Sequence, residues 1–439
     1  MSISTGSTPS SRSSATSASS VTSNRKSESD SPALSGGPPQ VRTVAERAPY
    51  LTTRLQGFGA TIFAEMSALA VRTGAINLGQ GFPDTDGPPE VLQAAVDAIR
   101  GGRNQYPPGI GVPELRHAVA NHQKRYYDLS YDPDSEVLIT AGATEAIAAA
   151  LISLCEVGDE VVCFEPYYDS YAAGIAMAGA VRRPVLLRGP DSSYVPEELE
   201  AAIGPRTRLI LLNSPHNPTG KVYSRAELEH VAELAVRHDL LVVADEVYEH
   251  IVYEGEHIPI ATLPGMRDRT VTISSGGKTF STTGWKIGWV CAPPELVTAV
   301  RTSKQFLTYV SGGPFQYAIA EGLKLGDGYF RSLADGLRQR RDRLCAGLAD
   351  AGFEVWNSAG TYFVTTHLGG LGESDGVDFC WSLPERCGVV AVPSVVFYDS
   401  KDAGRALVRF ACCKRPEVIA EAAERLAKLR QQTAPLSAG

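Results

Sequence analysis

The 439-residue sequence has no apolar run long enough to cross a lipid bilayer, which argues against a membrane-spanning protein. It also has no excess of basic residues. Its 41 Lys and Arg stand against 49 Asp and Glu, a formal net charge of −8, so it offers no cationic surface for nucleic acid or acidic lipid. With 43% hydrophobic residues the chain can bury a large core. We therefore expect a globular protein whose partners are small polar molecules, with no nucleic-acid or membrane partner.

The cysteines lack the C-x-x-C spacing of metal and thiol-redox motifs. Most occur in apolar contexts, which predicts reduced core residues and a cytoplasmic location. Cys412 and Cys413 are adjacent in a strand-like pattern that would turn their side chains to opposite faces, so a joint metal or redox role is not expected. The eight positions are Cys155, Cys163, Cys291, Cys345, Cys380, Cys387, Cys412 and Cys413.

Large apolar side chains are scarce in residues 1–46, which are rich in Ser, Thr, Gly and Pro. Such a segment cannot bury enough surface to offset the entropy of ordering, so we predict a disordered extension. It lacks the apolar stretch of a secretory signal. Glu28 and Asp30 argue against a transit peptide, although the Ser-rich start leaves that alternative open.

From about residue 136 the sequence alternates short β-branched or apolar runs with helical patterns. Predicted strands are 136–140, 160–164, 209–213, 240–244 and 270–274, and predicted helices are 145–154 and 224–238. Ser224 and Glu227 form a capping-box pattern at the start of the second helix. Apolar strands separated by helices predict an α/β fold whose mainly parallel sheet is covered on both faces, with ligands at the carboxyl ends of the strands.

A smaller α+β domain is predicted toward the C terminus. Helical patterns at 316–325, 329–351 and 416–431 flank strand patterns at 360–366, 389–392 and 406–410. The predicted organisation is an extension (1–46), an arm and helix of the small domain (47–75), a large ligand-binding domain (76–311), the small domain (312–432) and a flexible tail (433–439).

The most informative segment is Ser274–Lys286, in which Lys278 lies among small and hydroxyl residues. Gly277-Lys278-Thr279 looks like the end of a phosphate-binding P-loop, but the required earlier glycine is replaced by Thr272, so nucleotide hydrolysis is set aside. One interpretation is that Lys278 belongs to an ordinary polar loop and has no chemical role. As a nucleophile it would need a lowered pKa, and a fixed charge such as Lys286 would lower it.

Two further segments end predicted strands. Asp245 closes an apolar run and precedes Tyr248; a carboxylate there either caps a turn or pairs with a cationic ligand group such as a pyridinium nitrogen. The turn 213–220 holds two prolines and a glycine, and its rigidity would fix the amide of Asn217 against a planar ligand.

Anion binding is suggested at two places. Gly142, Ala143 and Thr144 join a strand to a helix, where free backbone N–H groups form an anion site unless the segment is an ordinary helix start. Arg409 interrupts an apolar strand, so it either forms an internal salt bridge or captures a substrate carboxylate. Tyr168, at the end of another strand, is a candidate for stacking on a ring.

In order and spacing these segments resemble the class I aminotransferases of the pyridoxal 5'-phosphate (PLP) fold type I group. The matching stretches are 76–84, 104–109, 213–220, 244–248, the Lys278 loop and 408–410. The resemblance extends from about Thr53 to Leu429. Within the group the chain looks most like kynurenine, glutamine and methionine aminotransferases and actinobacterial N-succinyldiaminopimelate aminotransferases. It implies a seven-stranded sheet in the large domain and a homodimer with shared active sites.

The resemblance implies a role for each matching residue. Lys278 is the Schiff-base lysine and Asp245 the partner of the pyridine nitrogen. Tyr248 and Asn217 bind the ring hydroxyl, and Tyr168 stacks on the ring. The remaining implied roles are phosphate binding by Gly142, Ala143, Thr144, Ser275 and Lys286 with Tyr106 of the neighbouring subunit, and substrate binding by Gly81, Asn217, Arg409 and the partner-subunit aromatic matched to Tyr309.

The expected activity is ping-pong transfer of an amino group from an L-amino acid to a 2-oxo acid. Neutral, aromatic or sulfur amino acids such as methionine, glutamine and kynurenine are the expected donors. N-succinyldiaminopimelate is an alternative donor, and a carbon–sulfur β-lyase or a secondary-metabolism aminotransferase are alternative activities. A PLP-binding transcription regulator is not expected, because the 1–46 extension lacks the pattern of a helix-turn-helix domain.

Overall fold

A computed structural model describes residues 50–433 apart from positions 60 and 357. The predicted disordered extension (1–46), and all of the predicted tail except residue 433, lie outside the described residues. The division into an arm, a large and a small domain stays a prediction. Among the helices of the described part, none combines the length and apolar character needed to cross a membrane.

The described chain alternates helices and strands along most of its length. Its strands, in chain order, are β1 (Ile76–Asn77), β2 (Val137–Thr140), β3 (Glu160–Glu165), β4 (Val181–Leu186), β5 (Thr207–Asn213), β6 (Leu241–Asp245), β7 (Thr270–Ser275), β8 (Gly288–Cys291), β9 (Glu354–Val355), β10 (Phe363–His367), β11 (Val389–Val390), β12 (Val392–Pro393) and β13 (Leu407–Ala411).

Its α-helices are α1 (Ile62–Thr73), α2 (Pro89–Arg100), α3 (Pro113–Tyr127), α4 (Gly142–Leu154), α5 (Asp169–Ala178), α6 (Pro196–Ala202), α7 (Arg225–Arg237), α8 (Gly276–Thr279), α9 (Pro294–Leu307), α10 (Gly313–Leu323), α11 (Asp327–Ala351), α12 (Gly376–Cys387), α13 (Lys401–Gly404), α14 (Pro416–Leu426) and α15 (Lys428–Thr433). Short 3-10 helices occur at Thr53–Leu55, Ile260–Thr262, Thr283–Trp285, Gly369–Leu371 and Ser394–Phe397.

The largest sheet has seven strands in the order β2-β8-β7-β6-β5-β3-β4. β3 to β7 run parallel to their paired neighbours, whereas β8 is antiparallel to both β2 and β7. The predicted mainly parallel α/β sheet is therefore confirmed. β4 and β8 were not predicted, because β4 has an exposed, Arg-containing sequence and β8 follows directly on the lysine segment.

Side chains of the central strands alternate between two cores, as a sheet covered on both faces requires. Leu209 and Leu211 of β5 pack in one core with α4 and α5. Ile210 and Leu212 pack in the other with Leu228 and neighbouring residues of α7. α7 begins at the predicted capping box, since the Ser224 side chain accepts from the backbone of Glu227 and the Glu227 side chain accepts in return.

A separate core, distinct from the two beside the large sheet, joins the remaining strands. β12, β13, β10 and β9 form an antiparallel sheet in that order, and β1 pairs with β11 in parallel. Met66 and Leu69 of α1 are buried in the same core as Val364 of β10 and Val408 of β13. Helix α1 is thereby packed on strands more than 290 residues away in sequence.

Several local predictions were wrong. The single helix predicted over 416–431 is two helices, α14 and α15, with Ala427 between them. The lysine segment is a one-turn helix, α8, rather than a loop. β13 ends at Ala411, so Cys412 and Cys413 follow the strand, and both are buried.

All eight cysteines are free thiols, as predicted.

Candidate active site

A cavity of about 390 Å³ lies at the carboxyl ends of β5, β6 and β7. Twelve of the fourteen residues singled out from the sequence line it. They are Gly81, Gly142, Ala143, Thr144, Tyr168, Asn217, Asp245, Tyr248, Ser275, Lys278, Lys286 and Arg409. Segments from residues 81 to 409 thus converge at the sheet edge where parallel α/β sheets bind ligands.

Strand register places the two central polar residues side by side. Asn213, the last residue of β5, is the register partner of Asp245, the last residue of β6. The Asn213 side chain donates to the Asp245 carbonyl over 2.8 Å and accepts from the backbone N–H of Asn217 over 2.7 Å. One amide therefore fixes the turn that carries Asn217 against the tip of the adjacent strand.

The Asp245 carboxylate lies on the floor of the cavity with only 5% of the residue exposed. The Tyr171 hydroxyl donates to one of its oxygens over 2.5 Å, and the backbone N–H of Val247 donates to the other over 3.3 Å. Burial raises the pKa of Asp245, and these two hydrogen bonds oppose that rise. Within the described chain no Lys or Arg forms an ion pair with Asp245, so a cationic ligand group is a suitable partner.

Lys278 projects from α8 toward the same space. Its ammonium lies 3.5 Å from the Gly81 carbonyl and 5.7 Å from the centre of the Tyr248 ring. Burial lowers the pKa of Lys278 from 10.5 to about 8; Cys413 and Asp245 oppose this shift, whereas Lys286 adds to it. The expected effect of Lys286 is present, but desolvation is the larger cause. Near neutral pH a usable fraction of this amine is unprotonated.

The opposite end of the cavity is suited to an anion. α4 begins at Gly142, whose φ of 76° is the left-handed conformation that glycine adopts without strain. A β-carbon on Gly142 would lie 3.3 Å from the Lys286 ammonium, so helix start and cation adjoin. A β-carbon on Gly288, the first residue of β8, would lie only 2.6 Å from the Gly142 carbonyl carbon. Gly142 and Gly288 thus allow the start of α4 and the Lys286 ammonium to lie next to each other. Backbone N–H groups at a helix start and an ammonium both favour an anion.

Arg409 is 1% exposed and lies in the middle of β13. One terminal nitrogen donates to the Asn217 side chain and the other to the Gly79 carbonyl, each over 3.0 Å, and the guanidinium stacks 4.0 Å from the Phe363 ring centre. Its Nε has no hydrogen-bond partner, and no carboxylate in the described residues pairs with it. The internal salt bridge, one of the two alternatives raised by the sequence, is absent from the described chain. Burial lowers the pKa of Arg409 to about 10.

Tyr168, Tyr171 and Tyr248 line the cavity. Tyr168 caps α5, and its ring meets that of Tyr171 edge-on at 5.8 Å. Tyr248 is buried, and its ring meets that of Tyr362 edge-on at 5.2 Å. The Tyr362 hydroxyl donates to the Gly81 carbonyl over 2.6 Å. This contact fixes the 79–82 segment above Lys278.

Tyr106 and Tyr309 lie outside this cavity. They are 80% and 56% exposed, and their rings contact each other edge-on at 5.5 Å. Both were expected to act on a neighbouring subunit, so their position in one chain does not test that expectation.

Sequence analysis missed several residues of the site. Tyr171 contacts Asp245 and lies one helical turn from Tyr168, so the i,i+3 spacing on α5 was an available signal. Phe63, Gln80, Thr283 and Phe363 also line the cavity. Nothing in the sequence marks these four as neighbours, because the fold brings them from four separate segments.

The chemistry of these groups fits PLP. A buried carboxylate without a cationic partner suits the ring nitrogen, the helix start with Lys286 suits the phosphate, and the desolvated Lys278 amine suits the aldehyde. Each of the three functional groups of this planar cofactor is thus matched by a protein group of the chemical type that binds it. It agrees with what the sequence resemblance implied.

Comparison with known proteins gives the same answer. Residues 73–426 match the family model for aminotransferase class I and II. The chain is 51% identical over 393 residues to the probable N-succinyldiaminopimelate aminotransferase of Mycobacterium tuberculosis, covering 87% of this chain and 99% of that protein. It is 39% identical over 378 residues to the methionine aminotransferase of Escherichia coli, covering 86% and 98%.

A solved structure of N-succinyldiaminopimelate aminotransferase from Mycobacterium tuberculosis superposes with a TM-score of 0.84 at 52% identity, covering 86% of this chain and all of that one. The sequence resemblance is thus confirmed at the level of both family and fold. The chain belongs to the class I and II aminotransferases, and it is an aminotransferase that uses pyridoxal 5'-phosphate.

Proposed function

We propose that this aminotransferase takes the amino group of an L-α-amino acid and passes it to a 2-oxo acid through the residues described above. The observation that carries the proposal is the buried Arg409 guanidinium with an unpaired Nε at the cavity wall. The α-carboxylate common to amino acids and 2-oxo acids supplies the missing counter-charge. A lone buried cation is costly to keep, so its value lies in binding an anion.

When bound, PLP supplies an electrophilic carbonyl and an electron-withdrawing ring. Asp245, oriented by Tyr171, would hold a proton at the ring nitrogen. The Lys278 amine would accept the substrate Cα proton and return it to another carbon within its reach. Tyr248 and Asn217 would bind the ring hydroxyl and Tyr168 would stack on the ring. The phosphate would be bound by Gly142, Ala143, Thr144, Ser275 and Lys286.

For the donor side chain we propose a neutral, aromatic or sulfur-containing group. Phe63, Phe82, Ile147 and Phe363 give the cavity an apolar wall that accepts such groups. The relative that acts on methionine supports this assignment.

N-succinyldiaminopimelate is the second candidate donor. The 51% identical relative is a probable aminotransferase for that compound. The distal carboxylate of N-succinyldiaminopimelate would need a positive charge near the cavity. Lys414 can supply that charge. The Lys414 ammonium donates to the Phe82 carbonyl over 2.8 Å and lies 3.9 Å from the Phe82 ring centre, with no ion-pair partner in the described residues.

The proposal includes a cytoplasmic homodimer with shared active sites. Eight free thiols are typical of a reducing compartment. Tyr106 and Tyr309 form an exposed aromatic pair outside the chain's own cavity, as residues that contribute to a partner's site would.

The test is a panel of amino donors against 2-oxoglutarate and pyruvate, comprising methionine, glutamine, kynurenine and N-succinyldiaminopimelate. Parallel initial-rate lines at varied donor and acceptor would support the ping-pong scheme. Lys414→Met should reduce kcat/KM for the acidic donor and leave methionine unchanged if the second candidate is correct. Pyruvate and ammonia formed from a cysteine conjugate without any 2-oxo acid would instead show a β-lyase.

A further inference from the structure

A second cluster of polar side chains lies beside β7, where the Ser274 hydroxyl contacts one of its members. Its members are His122 on α3 and the adjacent Glu249 and His250 in the turn after β6. One donor atom from each of the three lies within 4.8 Å of the other two. None of the three residues lines the active-site cavity.

The two imidazoles face each other. The Nε2 atoms of His122 and His250 are 2.7 Å apart. A hydrogen bond between them needs one Nε2 without a proton, and neutral imidazole is the form that binds metal ions. Two neutral imidazoles and a carboxylate make a donor set typical of zinc sites.

The carboxylate of this cluster lacks a counter-charge. Glu249 is 5% exposed, and in the described chain no Lys or Arg forms an ion pair with it. Its oxygens accept only from neutral donors, the Ser274 hydroxyl over 2.6 Å and the Tyr127 hydroxyl over 2.8 Å. These two bonds orient the carboxylate, as groups behind a metal ligand do. They supply no positive charge, which a divalent cation would provide.

Further charges surround the cluster. Glu246 is also buried, and among the described residues its one partner within ion-pair distance is His257, so a second carboxylate increases the need for positive charge. Arg125 lies on the same helix as His122 and lines the same cavity, so its positive charge opposes a cation. That guanidinium forms an ion pair with Asp327, which offsets its effect.

Solvent reaches the cluster from two sides. His122 lines a cavity of about 290 Å³, and Glu249 and His250 line a separate cavity of about 390 Å³. These cavities give an entry path for an ion and room for a water molecule as a further ligand. The Nδ1 of His122 is buried without a hydrogen-bond partner, so a water in the first cavity has a group to bind.

We propose that His122, Glu249 and His250 bind a divalent first-row transition metal ion, with Zn²⁺ best matched to two imidazoles and a carboxylate. The ion joins α3 to the turn after β6, at residues outside the lining of the active-site cavity. A tetrahedral Zn²⁺ with Zn–N bonds of about 2.0–2.1 Å sets two nitrogens about 3.3 Å apart, so the imidazoles must separate by about 0.6 Å. His250 is only half-buried, and its turn can provide that movement.

The test uses the PLP-loaded enzyme, dialysed against a chelator and then titrated with ZnSO₄ alone. We expect about one Zn²⁺ per chain by elemental analysis, and a Tm that rises with the free Zn²⁺ concentration. His122→Gln and His250→Gln should each weaken binding by more than about 100-fold, since losing a group that merely orients a ligand costs up to that much. His117→Gln is the control, because His117 is exposed on the same helix and lies outside the cluster.

Visible absorption of bound PLP and retained transaminase activity report that each variant is folded. Equal zinc binding by His122→Gln, His250→Gln and wild type would overturn the proposal. So would a folded wild-type enzyme that binds no Zn²⁺, because the two histidines would then form only a hydrogen bond. Stoichiometric binding of another first-row metal at the same residues would support the site.

Discussion

Replacing Arg409 by Met separates a binding role from a structural one. Burial lowers the pKa of Arg409 from 12.5 to about 10. At 1.36 kcal/mol per tenfold change this corresponds to an unfavourable desolvation on the order of 3 kcal/mol. An α-carboxylate that restores a counter-charge can recover an energy of that size, so Arg409→Met should weaken carboxylate binding on the order of 100-fold.

The same substitution should leave stability nearly unchanged. Methionine removes the uncompensated cation but leaves the Asn217 side chain and the Gly79 carbonyl without a donor. Each lost hydrogen bond costs about 1–3 kcal/mol, which roughly offsets the relief of about 3 kcal/mol. The free energy of unfolding should therefore fall by no more than about 3 kcal/mol. Breaking a buried salt bridge would cost about 3–5 kcal/mol.

The assay compares an amino acid with the amine that lacks its α-carboxylate, for instance methionine and 3-methylthiopropylamine, by single-turnover absorbance of the bound cofactor. Wild type should strongly prefer the amino acid, and Arg409→Met should lose most of that preference. Urea unfolding gives the stability change, and Arg405→Met, at an exposed residue just before β13, is the matched control. Undiminished preference for the amino acid, or a loss of stability above about 3 kcal/mol, would refute the argument.

The remaining predictions concern the cofactor side of the cavity. Lys278→Ala should abolish turnover and the violet-region absorption of the holoenzyme; an unchanged spectrum would contradict its role. In the wild-type apoenzyme, cofactor attachment should accelerate with pH up to about 8 and then level off, because the Lys278 pKa is about 8. Since that pKa is lowered on folding, the unfolded chain binds the extra proton between about pH 8 and 10.5, and Lys278 makes stability rise with pH in this window. Asp245→Ala should cost at least about 100-fold in kcat, and Tyr171→Phe, which removes one hydrogen bond, about tenfold; activity of Asp245→Ala within tenfold of wild type would argue against the assignment. Gly142→Ala should weaken PLP binding roughly tenfold, because a left-handed alanine costs about 1–2 kcal/mol, and equilibrium dialysis with Gly284→Ala as control measures it.

The sequence predicted the parts of the site that lie at strand ends. Asp245 and Asn217 follow apolar strands, and parallel strands present their carboxyl ends at one edge, so proximity could be inferred without coordinates. Lys278 and Arg409 were more ambiguous. A lysine in a polar segment and an arginine in a strand each have ordinary explanations, and only contacts with distant residues such as Gly79 and Gly81 separate the alternatives.

What escaped prediction depends on packing across long sequence separations. Tyr362 bonds to Gly81 and Phe363 stacks on Arg409, yet neither aromatic is distinguishable in sequence from a core residue. The break at Ala427 was likewise invisible, because 416–431 has a helical pattern throughout. The His122–Glu249–His250 cluster was missed because a histidine on α3 and a turn 127 residues later share no local motif.

The direction of β8 has a consequence for how functional positions are sought in such sheets. Because this strand runs against its neighbours, its first residue lies beside the ends of the others, and Gly288 pairs with both Thr140 and Ser275. A search restricted to segments that follow parallel strands would pass over position 288. Yet an added methyl there would lie 2.6 Å from the Gly142 carbonyl carbon, too close for the start of α4 to keep its position, so a residue outside the cavity lining limits the anion site.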